Sequence, residues 1–599
     1  MKSRMFAPRH AALALLLWLL SACQVEGGIP DVPTEASALP ALSQATAEAS
    51  SAALAARSQT WTLGLTEQPD TLTPYQLTAT DQRRAAPVSE LLFPSPVLTH
   101  NYAYTTTGVL QSLPTLDNGG AEMRLADVFL DPSGQITTTT TQVITQVDQL
   151  VVTFRWNPEL AWSDGRPLTA ADSVFAYEYE RANPPSAESA VKLAQVSTYT
   201  AIDDHTTQAV LQLDYIGPTY FLNYWTPLPR HLLEQASAEQ WQEYLRAPIG
   251  YGPYMIEQRE PGAIRMVQNP HYFGTPPANV RLDVLFGQDL NLLRANLSNG
   301  NLDLIYSDRP QTETIDTLDR DAQEGLLKVG HALWPGWEHI DYNLDVPMLQ
   351  DIRLRRAIAY GTNRLAMTEQ LMGAHVSPLD SWVLPFQPEA APADQLSRYE
   401  YNPDQARALL DEMGYADLDG DGIRASPDGL TLTLQLLTTA DSPLRAEVAR
   451  RFSADMRAIG IAIETTEASS TDLFAPEGPL YQRQFELALY SWKAEPNANG
   501  LSLWNCNAVP SLENNFQGEN FAGWCFRDAD MAIRRGATTL DLNERKAQYL
   551  RQQQIWTQEL PGLPLFQRLS TVALAPGVIG PEADTFAPIT WNVAAWRRE

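Results

Sequence analysis

Apolar and polar side chains alternate along some stretches of this chain and recur in helical stripes along others. Leu150, Val152, Phe154 and Trp156 alternate with Val151, Thr153 and Arg155, the period-two pattern of a half-buried strand. Ser163-Asp164-Gly165 then makes a turn in which glycine is free to take positive φ. Thr169-Ala-Ala-Asp172 has capping-box form and predicts a helix from Ala170, with Ala171, Val174 and Phe175 on one face. Asn183-Pro184-Pro185 ends it, because proline cannot continue the ladder. Trp61 to Leu65 reads as a strand, and the unbroken threonine run 137–141 has β propensity.

The second half of the chain shows longer periods. Asn402 and Pro403 open a helix as N-cap and first residue, with Gln405 as capping partner. Ala406, Leu409, Leu410 and Met413 form its stripe, and Gly414 closes it. Residues 430–437 read as a strand. Residues 443–459 read as a helix with Leu444, Val448, Phe452, Met456 and Ile459 on one side, and residues 461–463 as the next strand. A further helix is predicted over about residues 543–560, and the tail 563–596 reads as strand-like. Helices alternating with strands predict an α/β layer.

A chain of 599 residues is too long for one core and implies roughly two to four domains. The formal net charge of −29 argues against nucleic acid or an anionic membrane surface as partner, since both are bound through basic patches. Histidine is scarce, with no His-Glu-x-x-His and no pair at helical spacing, so His331 and His339 read as surface or core residues and not as a catalytic zinc site. No Gly-x-Ser-x-Gly elbow is present. Gly250-Tyr-Gly252 is followed by neither lysine nor helix, which rejects a nucleotide loop. Asp417, Asp419 and Asp421, followed by Gly422, have the alternation of a calcium loop, but Ile423 comes one position early and the twelfth residue is Asp428, not Glu. Trp334, Trp337, Trp492, Trp504 and Trp524 cluster late in the sequence, either as core or as a pocket that stacks on ligand side chains.

The first residues carry an export pattern. Lys2, Arg4 and Arg9 precede an apolar run from Ala11 to Leu20. Leu20-Ser21-Ala22-Cys23 resembles the bacterial lipobox, which implies a diacylated Cys23 and a lipid bilayer as partner through that anchor. Residues 26–57 are rich in Ala, Ser, Thr and Pro and read as a flexible tether. With Cys23 assigned to lipid, Cys506 and Cys525 remain. An even pair in an exported chain reads as a disulfide, the alternative being two reduced buried thiols.

Trp162-Ser-Asp-Gly-x-Pro-Leu-Thr-Ala-x-Asp-x-Val-Phe175 resembles a signature of the extracytoplasmic solute-binding proteins of family 5, which feed peptide-type ABC importers. Other segments resemble the same family: Gln68 to Tyr75; Gly250-Tyr-Gly-Pro-Tyr254; Asn269-Pro-His-Tyr-Phe-Gly274, with Phe273 for the usual Trp; Asn299 to Ile305; and Asp351 to Arg364, with Asn363 for the usual Asp. Tyr490-Ser-Trp492-Lys-Ala-Glu495-Pro496 resembles the family's Trp-x-Ala-Asp segment, with Glu495 at the Asp position and the later Asp-Pro absent. Trp504-Asn-Cys506 to Gly523-Trp-Cys525 resembles its next loop.

The resemblance implies an α/β fold of two lobes closing on a ligand cleft, with mixed sheets flanked by helices. Its expected parts are a signal peptide (1–22), a tether (23–57), a first lobe (58–100, 246–335 and 562–599), an extra domain packed on it (101–245) and a second lobe (336–561). It implies ligand contacts from Tyr75, Trp337, Trp492, Glu495, Trp504 and Asn505, with Glu495 meeting a peptide α-ammonium. It implies a monomer without cofactor or catalysis, held at the outer face of the plasma membrane, that delivers peptide to a permease and ATPase. A nickel complex, haem or an oligosaccharide is the alternative cargo within the family, and a surface sensor or hydrolase the alternative class.

Overall fold

The computed structural model describes residues 59–599, apart from 76–78, 132–135, 138–142, 184–186, 214 and 288. The expected signal peptide, Cys23, nearly all of the tether, Thr138 to Thr141 and the Pro184-Pro185 stop lie outside the described residues.

Ten strands form one mixed sheet. In chain order they are β1 (Thr60–Leu65), β2 (Tyr254–Glu260), β3 (Ala263–Gln268), β4 (Arg281–Phe286), β5 (Leu304–Ser307), β6 (Lys328–Tyr342), β7 (Thr433–Thr439), β8 (Ala462–Ala468), β9 (Leu487–Lys493) and β10 (Gly562–Leu574). Across the sheet the order is β8-β7-β9-β6-β10-β5-β1-β4-β3-β2. The strands β6 and β10 are the long ones, 15 and 13 residues, and run antiparallel beside each other. All of β10 is buried, and its apolar residues are interrupted only by Gln567-Arg568 and Ser570-Thr571, buried polar residues that find hydrogen-bond partners.

Two large cores lie along this sheet. The first gathers Trp61, Leu63, Phe154, Trp156, Ile264, Val572 and Trp596. The second gathers Ile340, Leu436, Phe452, Leu487, Leu563, Phe566 and Leu569. The apolar positions of β10 therefore pass from the second core to the first within one strand. A third cluster is built around Trp337, Trp382, Trp504, Trp524 and Trp556. The fold is a two-lobed α/β clamshell.

A separate five-stranded antiparallel sheet, made by segments between residues 121 and 211, packs on the first core. The strand read at Leu150 belongs to it and begins earlier, at Val143. Gly165 takes φ +86°, as the turn requires. The helix after it spans Ala170–Ala182, and the Asp172 carboxylate accepts from the Thr169 N–H at 2.9 Å. Val174 and Phe175 pack partly buried against the first core. The fully buried face holds Ala170, Ser173, Ala176, Tyr177 and Glu180, two of them polar, which apolar spacing does not reveal. The reason is hydrogen bonding. Ser173 Oγ donates to the Trp225 carbonyl at 2.5 Å, and Glu180 accepts from Trp225 Nε1 at 2.7 Å, so polar residues are buried with partners.

The later helices Pro403–Glu412, Pro443–Ala458 and Leu542–Glu559 fall within one or two residues of their expected bounds. The strand expected at 430–437 is displaced to Thr433–Thr439. The tail is a strand only to Leu574. Beyond it Pro576, Pro581 and Pro588 lack the N–H a ladder needs, and only the two-residue pieces Val578–Ile579 and Arg597–Arg598 pair. Gly250 and Gly252 do not supply positive φ. A Cβ there would lie 2.0 and 2.2 Å from the carbonyl oxygens of Leu92 and Leu91, so both permit a close backbone approach to the end of the helix Ala79–Leu92.

Candidate functional site

The cleft is built outward from the paired strands β6 and β9. Their antiparallel register sets Trp337 directly opposite Trp492. Trp337 is buried and Trp492 half-buried, stacked on Phe521 with ring centroids 5.9 Å apart. Gly336 makes this end of β6 possible, because a Cβ there would collide with the ring of Trp334. Between Leu333 and Trp337 the register with β10 shifts, and Gln567 Nε2 donates to the Trp334 carbonyl at 3.1 Å.

Under the tryptophans sits a buried charge cluster. Glu338, wholly buried on β6, accepts from Arg445 Nε at 3.0 Å and from Arg568 Nε at 2.6 Å. Arg445 continues to Thr439 Oγ1 at 2.8 Å and to Ser491 Oγ, the residue before Trp492, at 2.7 Å. Burial alone would raise the Glu338 carboxyl. The two guanidinium charges and their hydrogen bonds outweigh it and hold the carboxyl at about 2.

Glu495 follows β9 on a loop without regular structure that is fixed from behind. Gln387 Nε2 donates to the Glu495 carbonyl at 2.7 Å. The buried Glu389 carboxylate accepts from Ala498 N at 2.9 Å, Asn497 Nδ2 at 3.1 Å and Arg545 Nε at 2.7 Å. The Glu495 side chain is exposed, and its charge acts on tyrosines that pack against the first core. Tyr104 is pushed up by burial first and by Glu495 next. Burial is likewise the main cause of the rise at Tyr215, with Glu495 adding to it.

Two cavities meet at this loop. One, of about 690 Å³, is lined by Tyr75, Tyr104, Glu180, Lys192 and residues 493–496. The other, of about 390 Å³, is lined by Trp337, Trp382, Trp492 and residues 493–495. Lys493, Ala494 and Glu495 belong to both. Tyr75 is buried at the first cavity, donates to the Thr226 carbonyl at 2.5 Å, and is raised well above the usual phenol range by burial and then by the Glu180 charge. Of the residues expected at the ligand, Tyr75, Trp337, Trp492 and Glu495 thus line one or both of these two cavities.

Trp504 and Asn505 line neither cavity. Trp504 packs edge-on against Trp556 and Trp524 behind the wall. Asn505 Oδ1 accepts from Asn507 N and Arg534 Nη2, both at 2.8 Å, so it holds its own loop. The structure joins Cys506 and Cys525 with an S–S distance of 2.05 Å. Asp417, Asp419 and Asp421 are exposed and line neither cavity, and each accepts backbone N–H groups of its own turn, such as Gly420 N at 2.7 Å and Ile423 N at 2.7 Å.

Sequence reasoning missed Tyr104, Glu180, Lys192, Trp382 and the Glu389 anchor. One signal was available for the lysines: the chain has only five, and Lys192 and Lys493 both face the larger cavity. Lys192 donates to the Tyr224 carbonyl, with its Nζ 4.7 Å from the Trp225 ring centre. Glu389 carried no signal, because its partners lie more than 100 residues away.

A two-lobed α/β fold with a solvent-reached cleft lined by aromatic and charged side chains is the build of a solute receptor. A profile for bacterial extracellular solute-binding proteins, family 5 (middle region), matches residues 140–509, and the chain belongs to that family. It is 28% identical over 341 residues to di/tripeptide-binding protein 2 of Pseudomonas aeruginosa, covering 56% of this chain and 58% of that one. It is 21% identical over 449 residues to the oligopeptide-binding protein AppA of Bacillus subtilis, covering 72% and 78%. The chain spans a little over half the length of the first curated relatives it matches, 57% and 58%. In three dimensions it is similar to NikA from Brucella suis in complex with Fe(III)-EDTA (TM-score 0.70, 17% identity, 90% of this chain and 100% of that one). It is also similar to AppA in complex with a nonapeptide (TM-score 0.64, 17% identity, 90% and 99%).

Proposed function

We propose that this chain is the lipid-anchored receptor of an ABC importer, which captures a peptide between its lobes and delivers it to a permease and ATPase. The observation that carries this reading is the ridge Lys493-Ala-Glu495, shared by two cavities whose sizes fall within the roughly 300–1,000 Å³ of small-molecule sites. Trp337 and Trp492 offer aromatic faces to a ligand side chain. Glu495 supplies a carboxylate that an α-ammonium with three donors matches. The relatives named for di/tripeptide and oligopeptide binding support peptide as the cargo.

In this reading the first lobe comprises 58–100, 246–335 and 562–599, with 101–245 packed on it, and the second comprises 336–561. The lobes close about β6 and β10. Residues 1–22 direct export, Cys23 carries the lipid, and residues 23–57 give the receptor reach at the outer face of the membrane. Trp504, Asn505 and the Cys506–Cys525 bridge stiffen the wall from behind. The test is mass spectrometry of small molecules released from the purified protein, followed by calorimetry with a mixture of short peptides. Retained peptides, or saturable heat with the mixture, are expected. A retained metal chelate, haem or oligosaccharide, with no heat from peptides, would overturn the assignment of cargo.

A further inference from the structure

We propose that Asp319, His331 and His375 form a binding site for a first-row divalent transition-metal ion, outside both cavities of the cleft. The three residues come from three elements: Asp319 from the helix Thr312–Gln323, His331 from β6, and His375 from the turn after the helix Arg364–Leu371. His331 Nε2 lies 2.9 Å from Asp319 Oδ1 and His375 Nε2 lies 2.7 Å from Asp319 Oδ2. The two imidazole rings are 4.1 Å apart. One ligand atom from each residue falls within 4.8 Å of the others. Metal–ligand bonds of about 2.0–2.2 Å place the donors of a tetrahedral ion roughly 3.3–3.6 Å apart, so each of the two nitrogen–oxygen contacts has to lengthen by less than about 1 Å.

Two further features fit an ion at this place. His331 Nδ1 lies 2.8 Å from Thr571 Oγ1 on β10. In the tautomer whose hydrogen sits on Nδ1, that hydroxyl accepts it and the Nε2 lone pair is available to ligate an ion beside the Asp319 carboxylate. An outer hydrogen bond of this kind is how metal-bound histidines are oriented. The turn that delivers His375 is also strained. Gly373 and Ala374 both have positive φ, +57° and +62°, and Ala374 carries a Cβ.

Two imidazoles and one carboxylate suit zinc, nickel or cobalt and leave coordination positions open to water. The Asp319 and His375 side chains are 25% and 33% exposed, which gives an ion its route in. The helix carrying Asp319 also contributes Ile315 to the second core and Leu318 to a small cluster with Leu327 and Ala573. An ion here would fasten that helix to the turn at residues 373–375. The role is structural and independent of the cargo in the cleft.

The test is calorimetric titration of the chelator-stripped, dialysed protein with zinc chloride, paired with the visible spectrum of the cobalt(II) form. The wild type is expected to bind one ion at micromolar concentration and to give the ligand-field bands of low-coordinate cobalt. His375→Ala and Asp319→Asn should abolish both signals. Thr571→Val, which touches only the outer hydrogen bond, should weaken zinc about 10–100-fold. Asp419→Asn, in the exposed acidic turn, should change nothing. Circular dichroism of each variant establishes that it is folded. No zinc binding by the wild type, or equal affinity in wild type and folded His375→Ala, would overturn the proposal.

Discussion

Replacing Glu338 by Gln keeps the shape of the side chain and removes the one negative charge between Arg445 and Arg568. Both guanidinium groups stay where they are, buried to about nine-tenths, and the new amide offers one acceptor where there were two. The size of the effect follows from the carboxyl itself. It is held at about 2 against an ordinary value of 4.5, a difference of about 2.5 pH units. At about 1.36 kcal/mol per unit this is about 3 kcal/mol of stability. The same order follows from buried pairs in general, where removing one partner costs about 3–5 kcal/mol. Because the folded carboxyl is depressed, this stability is fully present above pH 4.5. It is lost as pH falls from 4.5 through about 2. Urea unfolding of wild type and Glu338→Gln at pH 7 should show a lower midpoint for the variant at similar slope. The difference should shrink as both are taken toward pH 2, where the wild-type carboxyl is itself protonated. Replacing all three residues by apolar ones of similar volume should recover most of the loss. Equal midpoints at pH 7, or a difference that persists undiminished at pH 2, would refute the assignment of the stability to this charge cluster.

Glu495→Gln should weaken peptides with a free N-terminus by about 1.5–3 kcal/mol and leave N-acetylated peptides nearly unaffected, by calorimetry on both ligands; equal losses would remove Glu495 from the N-terminus role. Free-thiol labelling of the unfolded, unreduced protein should find nothing at Cys506 or Cys525. Replacing both by Ser should lower stability by about 3 kcal/mol, the chain-entropy value for a loop of this size. Cys23→Ala should release the protein from the membrane fraction into the soluble one, and unchanged membrane association would exclude acylation there. Small-angle scattering should show a smaller radius of gyration with bound peptide, whereas binding at constant radius would mean a rigid receptor.

Local signals were the legible part of this chain. The capping box at Thr169, the N-cap at Asn402 and the closing Gly414 are set by neighbours within a few residues, and the structure uses each as read. Trp337 and Trp492 were singled out one by one, but nothing local says that they face each other across two strands 155 positions apart. The fully buried face of the helix Ala170–Ala182 was not legible, because apolar spacing cannot anticipate that Ser173 and Glu180 find partners at Trp225. The same limit hid His375. Beside His331 in sequence stands nothing that binds it, and its partners Asp319, His375 and Thr571 lie 12, 44 and 240 positions away on other elements. Trp504 and Asn505 sit beside the disulfide. A loop closed in that way can turn either flank to the cleft, and here Arg534 and Trp556 draw both residues behind the wall.

The strand β10 has a consequence for the order of events when the protein is made. Of the ten strands in this sheet it is the last in chain order yet the fifth across, wedged between β6 and β5. Leu563, Leu565, Phe566 and Leu569 complete one core, and Val572 and Leu574 complete the other. No stretch of the chain that stops before Gly562 can therefore close either core. Helices and hairpins can form as the polypeptide emerges, but the sheet stays open along its midline until β10 arrives, and its long-range pairings make that last step slow. On the export route proposed above, in which the polypeptide crosses a membrane before it folds, a keystone strand delivered this late would keep the earlier segments loose during translocation.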